Sequence, residues 1–402
     1  MSEAGPEPPL RGVRVVECGS LLAGPVCARL LGDYGADVVK VEDPGSGDVG
    51  RVWGDHKFDG RSLWWPIQGR NKRCVTINLR TEAGQGLLRR LLETADVFVE
   101  NFRPGTLERW SIGPDVLAEL NPRLVVVRVS GFGQTGPSRN KAGFGVVGEA
   151  VGGLRNVTGY PDQAPPRVGI SLGDQLASVF GVIGALLALH ARERTGRGQV
   201  VDVAIYEAVF ALMESLVTEH AKLGVLRQRM GPRLAGAAPS SIYPTSDGEW
   251  IIVAGNADNV FRRLAEAMGQ PELADDPRYL THVTRAENAD ELDETISDWT
   301  RELTAAEVEA ALEAAAVPCC KIYSEADIVA DSHFWAREML LRLQDGDLGE
   351  LVIPGVVPKL SDTPGSVRWL APGLGEHNRE VFVGDLGLTD DELAALDAEG
   401  TV

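Results

Sequence analysis

The sequence lacks the cysteine and histidine patterns that metal sites and disulfide frameworks require. Its five cysteines form no CxxC pair, and no histidine lies at zinc-ligand spacing from any of them. We therefore predict no metal site and reduced thiols. Cys18 lies in a predicted loop and is a candidate nucleophile, but no histidine or lysine close to it in the sequence supports that role.

Positive charge is also scarce, since 39 basic residues face 58 acidic ones and the formal net charge is -19. Such a balance argues against nucleic acid or an anionic membrane as the main partner. An anionic small molecule would need a local basic cluster.

Long apolar runs and targeting signals are missing as well. The longest apolar run, 176–189, contains Gly181 and Gly184 and is shorter than a membrane span requires. The acidic, proline-rich start of the chain, 1–10, does not resemble a signal peptide. We expect a cytoplasmic protein with a buried helix at 176–189.

What is present is the composition of a globular protein, with 44% hydrophobic and 24% charged residues in 402 positions. Valine-rich segments alternate with helical ones, which predicts an α/β fold with a doubly wound, mainly parallel, Rossmann-like sheet. The predicted strands are 13–17, 37–42, 96–100, 124–129 and 199–205. The predicted helices are 24–34, 82–94, 114–120, 175–190 and one from the last strand to about 220.

The length favours two domains. We predict a large domain from 1–224, a smaller α+β domain at 225–328, and a return segment at 329–402 that completes the large domain. Within these parts we expect a hairpin at 242–254 that turns at Asp247 and Gly248, and helices capped by Thr304 with Glu307 and by Thr389 with Glu392.

Ligands of such sheets gather at the carboxyl ends of the strands. The segments that leave those ends, 18–23, 43–51, 101–105 and 130–144, are the glycine-rich parts of the chain. The first of these loops lacks the GxGxxG spacing of a dinucleotide site, so NAD is disfavoured.

Asp174 follows Gly173 where the helix 175–190 is predicted to begin. A carboxylate there lies at the positive end of the helix dipole, beside backbone N–H groups that have no partner within the helix. Asp174 is either a simple N-cap or a reactive carboxylate.

Seven ordered motifs decide between these interpretations. They are LAGP at 22–25, GADVVKVE at 35–42, NKR at 71–73, VENFRPG at 99–105, LGD at 172–174, TGRGQ at 195–199 and LGEH at 374–377. In order and spacing they resemble the family III CoA-transferases, also called the CaiB/BaiF family, from about Leu10 to the C-terminus.

The resemblance implies that Asp174 attacks an acyl-CoA thioester and forms first a mixed anhydride and then an aspartyl-CoA thioester. It implies no tightly bound cofactor, CoA as part of the substrate, a carboxylic acid acceptor, and an interlocked homodimer. The CoA contacts implied by position are Leu22, Ala23, Ile77, Arg80, Asn101, Phe102, Arg109, Lys141 and Phe144, and Trp53 would wall the acyl pocket. Each of these roles has a simpler alternative: Arg80 and Arg109 could be solvated surface residues, and Phe102 and Trp53 could be core residues. We interpret Lys72 and Arg73 as structural.

Three departures from the family pattern stand out. Gly145 replaces an acidic residue that relatives often carry after the loop aromatic, Asp43 replaces a basic CoA contact, and the glycine-run lid of the formyl-CoA transferase branch is absent. We therefore do not expect formyl/oxalate specificity.

Two other functions stay open at this point. An α-methylacyl-CoA racemase would need two opposed acid/base groups, and the His-Asp pair of such relatives is absent at Phe144 and Gly145. A catalytically silent CoA-binding protein is the other alternative. The donor and acceptor acids cannot be read from the sequence.

Overall fold

The computed structural model describes residues 7–402, so the first six residues of the acidic N-terminal segment lie outside the description. The strands of this range are β1 (Arg14–Glu17), β2 (Asp37–Glu42), β3 (Lys57–Phe58), β4 (Arg61–Ser62), β5 (Lys72–Thr76), β6 (Val97–Glu100), β7 (Val125–Ser130), β8 (Val200–Ala204), β9 (Ser240–Pro244), β10 (Trp250–Ala254), β11 (Cys319–Lys321), β12 (Leu340–Asp345) and β13 (Gly349–Pro354). The helices of the first half are α1 (Ala23–Asp33), α2 (Trp65–Gln68), α3 (Glu82–Leu92), α4 (Thr106–Arg109), α5 (Pro114–Leu120), α6 (Gly145–Val151), α7 (Leu154–Val157) and α8 (Leu172–Thr195). Those of the second half are α9 (Ile205–Phe210), α10 (Leu216–Leu223), α11 (Asp258–Ala267), α12 (His282–Glu287), α13 (Ala289–Arg301), α14 (Ala305–Ala314), α15 (Glu325–Ala330), α16 (Ser332–Ala336) and α17 (Asp390–Ala398).

Six strands form one parallel sheet in the order β5-β2-β1-β6-β7-β8, which confirms the predicted parallel α/β architecture. Alternate residues of each strand face opposite sides, so Val15 and Val38 pack with α1 and α8 while Val16 and Val39 pack with α3. Strands buried on both faces need apolar residues on both sides, and this explains their valine runs.

Strand β5 was not predicted, because Lys72 and Arg73 make it look like a polar loop. Lys72 is fully buried, and its Nζ donates to Glu17 Oε2 at 2.8 Å and to the carbonyl oxygen of Pro25 at 2.8 Å. The neighbouring Lys40 donates to Glu17 Oε1 at 2.8 Å. A buried charge is tolerated when it is paired in this way, so a charged strand can lie within the sheet.

The chain divides into two compact units. The first contains the described residues of Met1–Leu154, together with Arg167–Ser215 and His333–Val402, and the second contains Arg155–Pro166 and Leu216–Ser332. The predicted small domain, 225–328, lies inside the second unit, which also includes α10 and the segment Arg155–Pro166.

The second unit has an antiparallel sheet in the order β11-β10-β9, packed with helices around an apolar core. The predicted hairpin is confirmed as β9 and β10, with Gly248 at a φ of 80° in the turn. The capping boxes of Thr304 with Glu307, in this unit, and of Thr389 with Glu392, in the first unit, are also confirmed.

Two helices of the first unit differ from expectation. The helix predicted from the last strand to about 220 is wrong, because α9 ends at Phe210 and a separate helix, α10, begins at Leu216. Helix α8 has 24 residues, and by length and composition alone it could cross a membrane. The sequence-based prediction of a buried helix rests only on the apolar run 176–189, which is too short for a membrane span. Helix α8 is not buried all round: one face packs on α1 and β7, while Val179, Ile183 and Leu187 are exposed.

Candidate functional site

Asp174 lies in the first turn of α8 and is the third residue of that helix. The N-cap is Ser171, so the interpretation of Asp174 as the N-cap is wrong. Ser178, one turn later, donates its hydroxyl to the carbonyl oxygens of Asp174 at 2.8 Å and of Ala23 at 2.9 Å, and this fixes the start of α8 against α1. Asp174 itself is among the residues that line a cavity.

A cavity of about 120 Å³ opens at Asp174, and we call it the Asp174 cavity. It lies at the carboxyl ends of β6 and β7, where ligands of parallel sheets are expected. Four of the predicted contacts line it together with Asp174: Leu22, Ala23, Asn101 and Phe144. The remaining lining residues are Ser20, Leu21, Val129, Ser130, Gly131, Gly143 and Ile205.

Gly145 is in direct contact with the carboxylate. A Cβ atom at this position would lie 2.2 Å from Asp174 Oδ2 and 2.7 Å from Asp174 Cγ, closer than any side chain allows. The acidic residue that relatives often carry here has no room in this chain. Its replacement by glycine lets the backbone of α6 approach Asp174.

Burial raises the pKa of Asp174 from its ordinary value to about 6, and the negative charge of Glu149 acts in the same direction. The positive charge of Arg167 and a backbone hydrogen bond from Gly145 act in the opposite direction. The carboxylate is thus charged at neutral pH but more basic than a solvated aspartate, which favours nucleophilic attack.

A second cavity, of about 220 Å³, contains Ile77, Arg80 and Phe102, and we call it the Arg80 cavity. Arg80 is exposed and pairs with Asp43 at 2.7 Å, so the unexpected acid at 43 holds this arginine at the cavity wall. Phe102 lines the cavity and also packs edge-on against Trp110, with ring centroids 5.1 Å apart. The predicted packing role of Phe102 is confirmed, and its role as a CoA contact stays a prediction.

The segment 18–23, called the first loop from here on, borders both cavities, and Ser20 lines each of them. Asn101 binds the backbone of Ser20 twice, accepting from its N–H at 2.9 Å and donating to its carbonyl oxygen at 2.9 Å. Leu21 has a φ of 66°, and its N–H donates to the buried Asp48 at 3.0 Å. Asp48 in turn pairs with Lys40 at 2.7 Å, so buried charges fix the loop.

Three predicted residues line neither cavity. Arg109 is exposed and donates to Thr106 Oγ1 at 3.0 Å, Lys141 is exposed, and Trp53 is half-exposed in the loop after a short 3-10 helix. Their predicted roles in CoA binding and in the acyl pocket therefore have no support from these cavities.

Cys18 lines the Arg80 cavity but is buried. Burial, reinforced by the negative charge of Glu17, raises the pKa of the Cys18 thiol well above its usual value. The reactive form of cysteine is the thiolate, so this environment disfavours Cys18 as a nucleophile.

Sequence reasoning missed four residues around the site: Ser20, Asp48, Glu149 and Arg167. Glu149 had a readable signal, because it follows Gly145 by four positions and hence lies on the same side of α6. Arg167 lies before α8 and its Nη2 donates to Ser171 Oγ at 3.5 Å. No group of three or more potential metal ligands occurs within 7–402.

Similarity to known proteins extends over nearly the whole chain. The model of CoA-transferase family III matches residues 10–378. The chain is 53% identical over 402 residues to the Chloroflexus aurantiacus protein named Succinyl-CoA--D-citramalate CoA-transferase, covering 100% of both. It is 44% identical over 391 residues to the Succinyl-CoA--L-malate CoA-transferase beta subunit of the same organism, covering 96% of each. The crystal structure of a CAIB/BAIF family protein from Brucella suis superposes with a TM-score of 0.84 at 33% identity, covering 94% of this chain and 100% of that one.

Proposed function

Because the chain belongs to the family III CoA-transferases, we propose that it moves CoA from an acyl-CoA donor to a carboxylic acid through covalent intermediates on Asp174. The observation that carries this proposal is the position of Asp174, in the wall of a cavity at the strand ends and with a raised pKa. No histidine is among the described residues that line that cavity, so it lacks the histidine of the His-Asp pair on which the racemase alternative depends.

The reaction conserves the thioester. An Asp174 oxygen bonds to the acyl carbon of the donor, the C–S bond breaks, and CoA leaves as thiolate with the electron pair. The thiolate then attacks Asp174 Cγ in the anhydride, which releases the donor acid as a carboxylate and leaves an aspartyl-CoA thioester. The acceptor carboxylate repeats the two steps in reverse order and leaves as the new acyl-CoA, so no ATP is consumed.

Each tetrahedral intermediate carries an oxyanion, and preorganised donors stabilise such charges. The N-terminal end of α8 supplies the positive end of a helix dipole beside Asp174. The backbone N–H of Gly145 is a further donor to the Asp174 carboxylate. We assign these groups to the stabilisation of charge during acyl transfer.

The proposal is tested with the full-length enzyme, without ATP. We expect succinyl-CoA and a dicarboxylate such as D-citramalate or L-malate to yield a new acyl-CoA, detected by liquid chromatography and mass spectrometry. Hydroxylamine or borohydride added during turnover should trap Asp174. The absence of any new acyl-CoA across succinyl-, acetyl- and aryl-CoA donors would contradict the proposal.

A dicarboxylate substrate has a second carboxylate that must be neutralised, and we assign this task to Arg167. Its charge already acts on Asp174, and within 7–402 its hydrogen-bond partner is the Ser171 hydroxyl rather than a carboxylate. A guanidinium matches a carboxylate in geometry and charge. The dicarboxylate substrates in the names of the two Chloroflexus relatives support this choice.

Arg167→Gln is expected to raise the KM for dicarboxylate acceptors by roughly 10- to 100-fold, since a hydrogen bond to a charged group contributes about 1.5–3 kcal/mol. The KM for a monocarboxylate acceptor such as propionate should change little. Steady-state kinetics with both acceptors measures the difference, and Arg194→Gln, an exposed arginine in the last turn of α8, is the control. Equal increases for both kinds of acceptor would refute the assignment.

We further propose that the enzyme acts as a homodimer in the cytoplasm. The outward face of α8 supports the dimer, because Val179, Ile183 and Leu187 recur every four residues and are 46%, 45% and 64% exposed. An apolar stripe of this kind on a helix is commonly covered by a partner. A second copy of the chain is the partner that the family resemblance implies.

Ile183→Asp is expected to weaken this association and to shift the protein toward monomer or to prevent soluble folding, because a carboxylate would be buried unpaired. Analytical ultracentrifugation of the variant and the wild type measures the shift. Val116→Asp, at an exposed valine of α5, is the matched control and should leave the oligomeric state unchanged. A dimer of unchanged stability in Ile183→Asp would show that this face is not the interface.

A further inference from the structure

The acid that is missing at position 145 has a counterpart one helical turn later. Glu149 lies on α6, four residues after Gly145, and is fully buried. The N–H of Gly173 donates to Glu149 Oε1 at 3.3 Å, and Gly173 is the residue before Asp174. Glu149 is therefore attached to the same turn of α8 that carries the reactive carboxylate.

Both glycines keep this packing close. A Cβ atom at Gly173 would lie 2.8 Å from the carbonyl oxygen of Gly145 and 3.3 Å from Glu149 Cγ. The backbones of α6 and α8 are thus in contact at this point, with Asp174 on one side of the contact and Glu149 beside it. The two carboxylates share a region from which much of the water is excluded, and charges interact more strongly there than in solution.

Charged side chains on two of the elements that pack against α8 have partners of their own. Glu207 on α9 is exposed and accepts the hydroxyl of Tyr206, and Arg128 on β7 pairs with Glu100 and Glu108. Cys27 on α1 is buried, and burial first, then the charge of Glu17, raises the pKa of its thiol to about 12. Glu149 and Arg167 are the side chains whose charges act on Asp174.

The charge of Asp174 changes during the proposed reaction. The free side chain carries one negative charge, whereas the anhydride and the aspartyl-CoA thioester are neutral at Asp174, since the departing electron pair leaves with the thiolate or with the released carboxylate. Repulsion between two carboxylates is present only in the free enzyme. A fixed negative charge beside Asp174 therefore favours every acylated state over the free carboxylate.

We propose that Glu149 is a positioning residue whose buried negative charge destabilises the free Asp174 carboxylate relative to its covalent intermediates. This role rests on the proposed covalent function and replaces the acid that has no room at Gly145. Glu149 acts through the charge of Asp174 and through the N–H of Gly173.

Glu149→Gln tests the role because an amide oxygen can still accept the hydrogen bond from Gly173 while the charge is lost. In the wild type the acidic limb of kcat/KM should have its midpoint near the Asp174 pKa of about 6. In Glu149→Gln this midpoint should fall by roughly one pH unit. Because the free carboxylate is stabilised by the same change, the fraction of enzyme that carries CoA on Asp174 at neutral pH should fall roughly tenfold. Intact-protein mass spectrometry during turnover measures that fraction.

The direction in which the acidic midpoint of kcat/KM moves distinguishes the proposed electrostatic role of Glu149 from a purely structural role. Protonated Asp174 cannot attack, so a lower pKa preserves relative activity in acid while the covalent population decreases at neutral pH. Glu149→Asp keeps the charge and should retain the wild-type midpoint, and Glu119→Gln, an exposed glutamate of α5, should change neither quantity.

Two results would overturn the proposal: a uniform loss of rate in Glu149→Gln with no shift of the acidic limb, or an unchanged covalent fraction. A wild-type enzyme that transfers CoA without any adduct on Asp174 would instead refute the covalent function itself. If Glu149→Gln does not fold, the midpoint in Glu149→Asp decides. A fall toward the ordinary aspartate value, despite the retained charge, would contradict the role.

Discussion

Asp174→Ala is expected to abolish CoA transfer, lowering kcat by roughly 10⁴-fold or more, because every covalent step of the proposed reaction requires the carboxylate. Adduct formation in the presence of hydroxylamine or borohydride should disappear with the activity. Continuous detection of the product acyl-CoA measures the loss, and intact-protein mass spectrometry measures the adduct.

Binding should survive this substitution. Asp174 is one of the residues that line its cavity, and the Arg80 cavity does not contain it. We expect Asp174→Ala to bind acyl-CoA nearly as well as the wild type in equilibrium titrations. Asp174→Asn, which preserves shape but not charge, serves as the matched control and should be equally inactive. A variant that retains a tenth or more of the wild-type rate would exclude a nucleophilic role for Asp174.

Gly145→Ala is expected to reduce kcat/KM by roughly 100-fold, since a misplacement of a reacting group by about 1 Å can have an effect of that size. The added methyl group would lie 2.2 Å from Asp174 Oδ2, so the carboxylate must rotate or α6 must withdraw. Either response changes the position of the Asp174 carboxylate relative to the backbone N–H of Gly145. Steady-state kinetics and the yield of trapped adduct measure the change.

Gly86→Ala is the control for this substitution. Gly86 also lies in a helix, α3, and no heavy atom is within 4 Å of the position of an added Cβ. Its replacement should stabilise the fold by about 0.5–1 kcal/mol without an effect on rate, because alanine is the better helix former. Thermal unfolding by calorimetry compares the two variants. Wild-type activity in Gly145→Ala would show that Asp174 tolerates the displacement.

The parallel sheet was predictable from the sequence because its strands obey a simple physical rule. Strands covered on both faces are rich in apolar residues that face both sides, and Asp37–Glu42 has valines in both core clusters. Strand β5 violates the rule, since the partners that neutralise Lys72 come from distant parts of the chain. No local pattern records such pairing.

The candidate site was predictable in outline, and its details were not. A glycine followed by an aspartate and an apolar helix locates Asp174, but only the fold shows that Ser171 begins the helix. Leu22, Asn101 and Phe144 converge on Asp174 because three loops leave the same edge of the sheet. Arg109 does not line this cavity, since side-chain direction cannot be read from position alone.

The departure at Gly145 illustrates why a motif must be read with its surroundings. Viewed alone, the missing acid suggests a weakened catalyst. The structure shows that a side chain there would collide with Asp174 and that a buried carboxylate, Glu149, lies one turn away. Compensation between neighbouring positions on a helix is visible in the sequence only when the helix itself has been located correctly.

The first loop belongs to both cavities through Ser20, and this sharing limits how the enzyme can be redesigned. Substitutions at 20–23 would alter the walls of both cavities together. Engineering for a different acid should therefore begin at Val129 and Ile205, which line the Asp174 cavity but not the Arg80 cavity, so that side-chain size can be altered in one cavity alone.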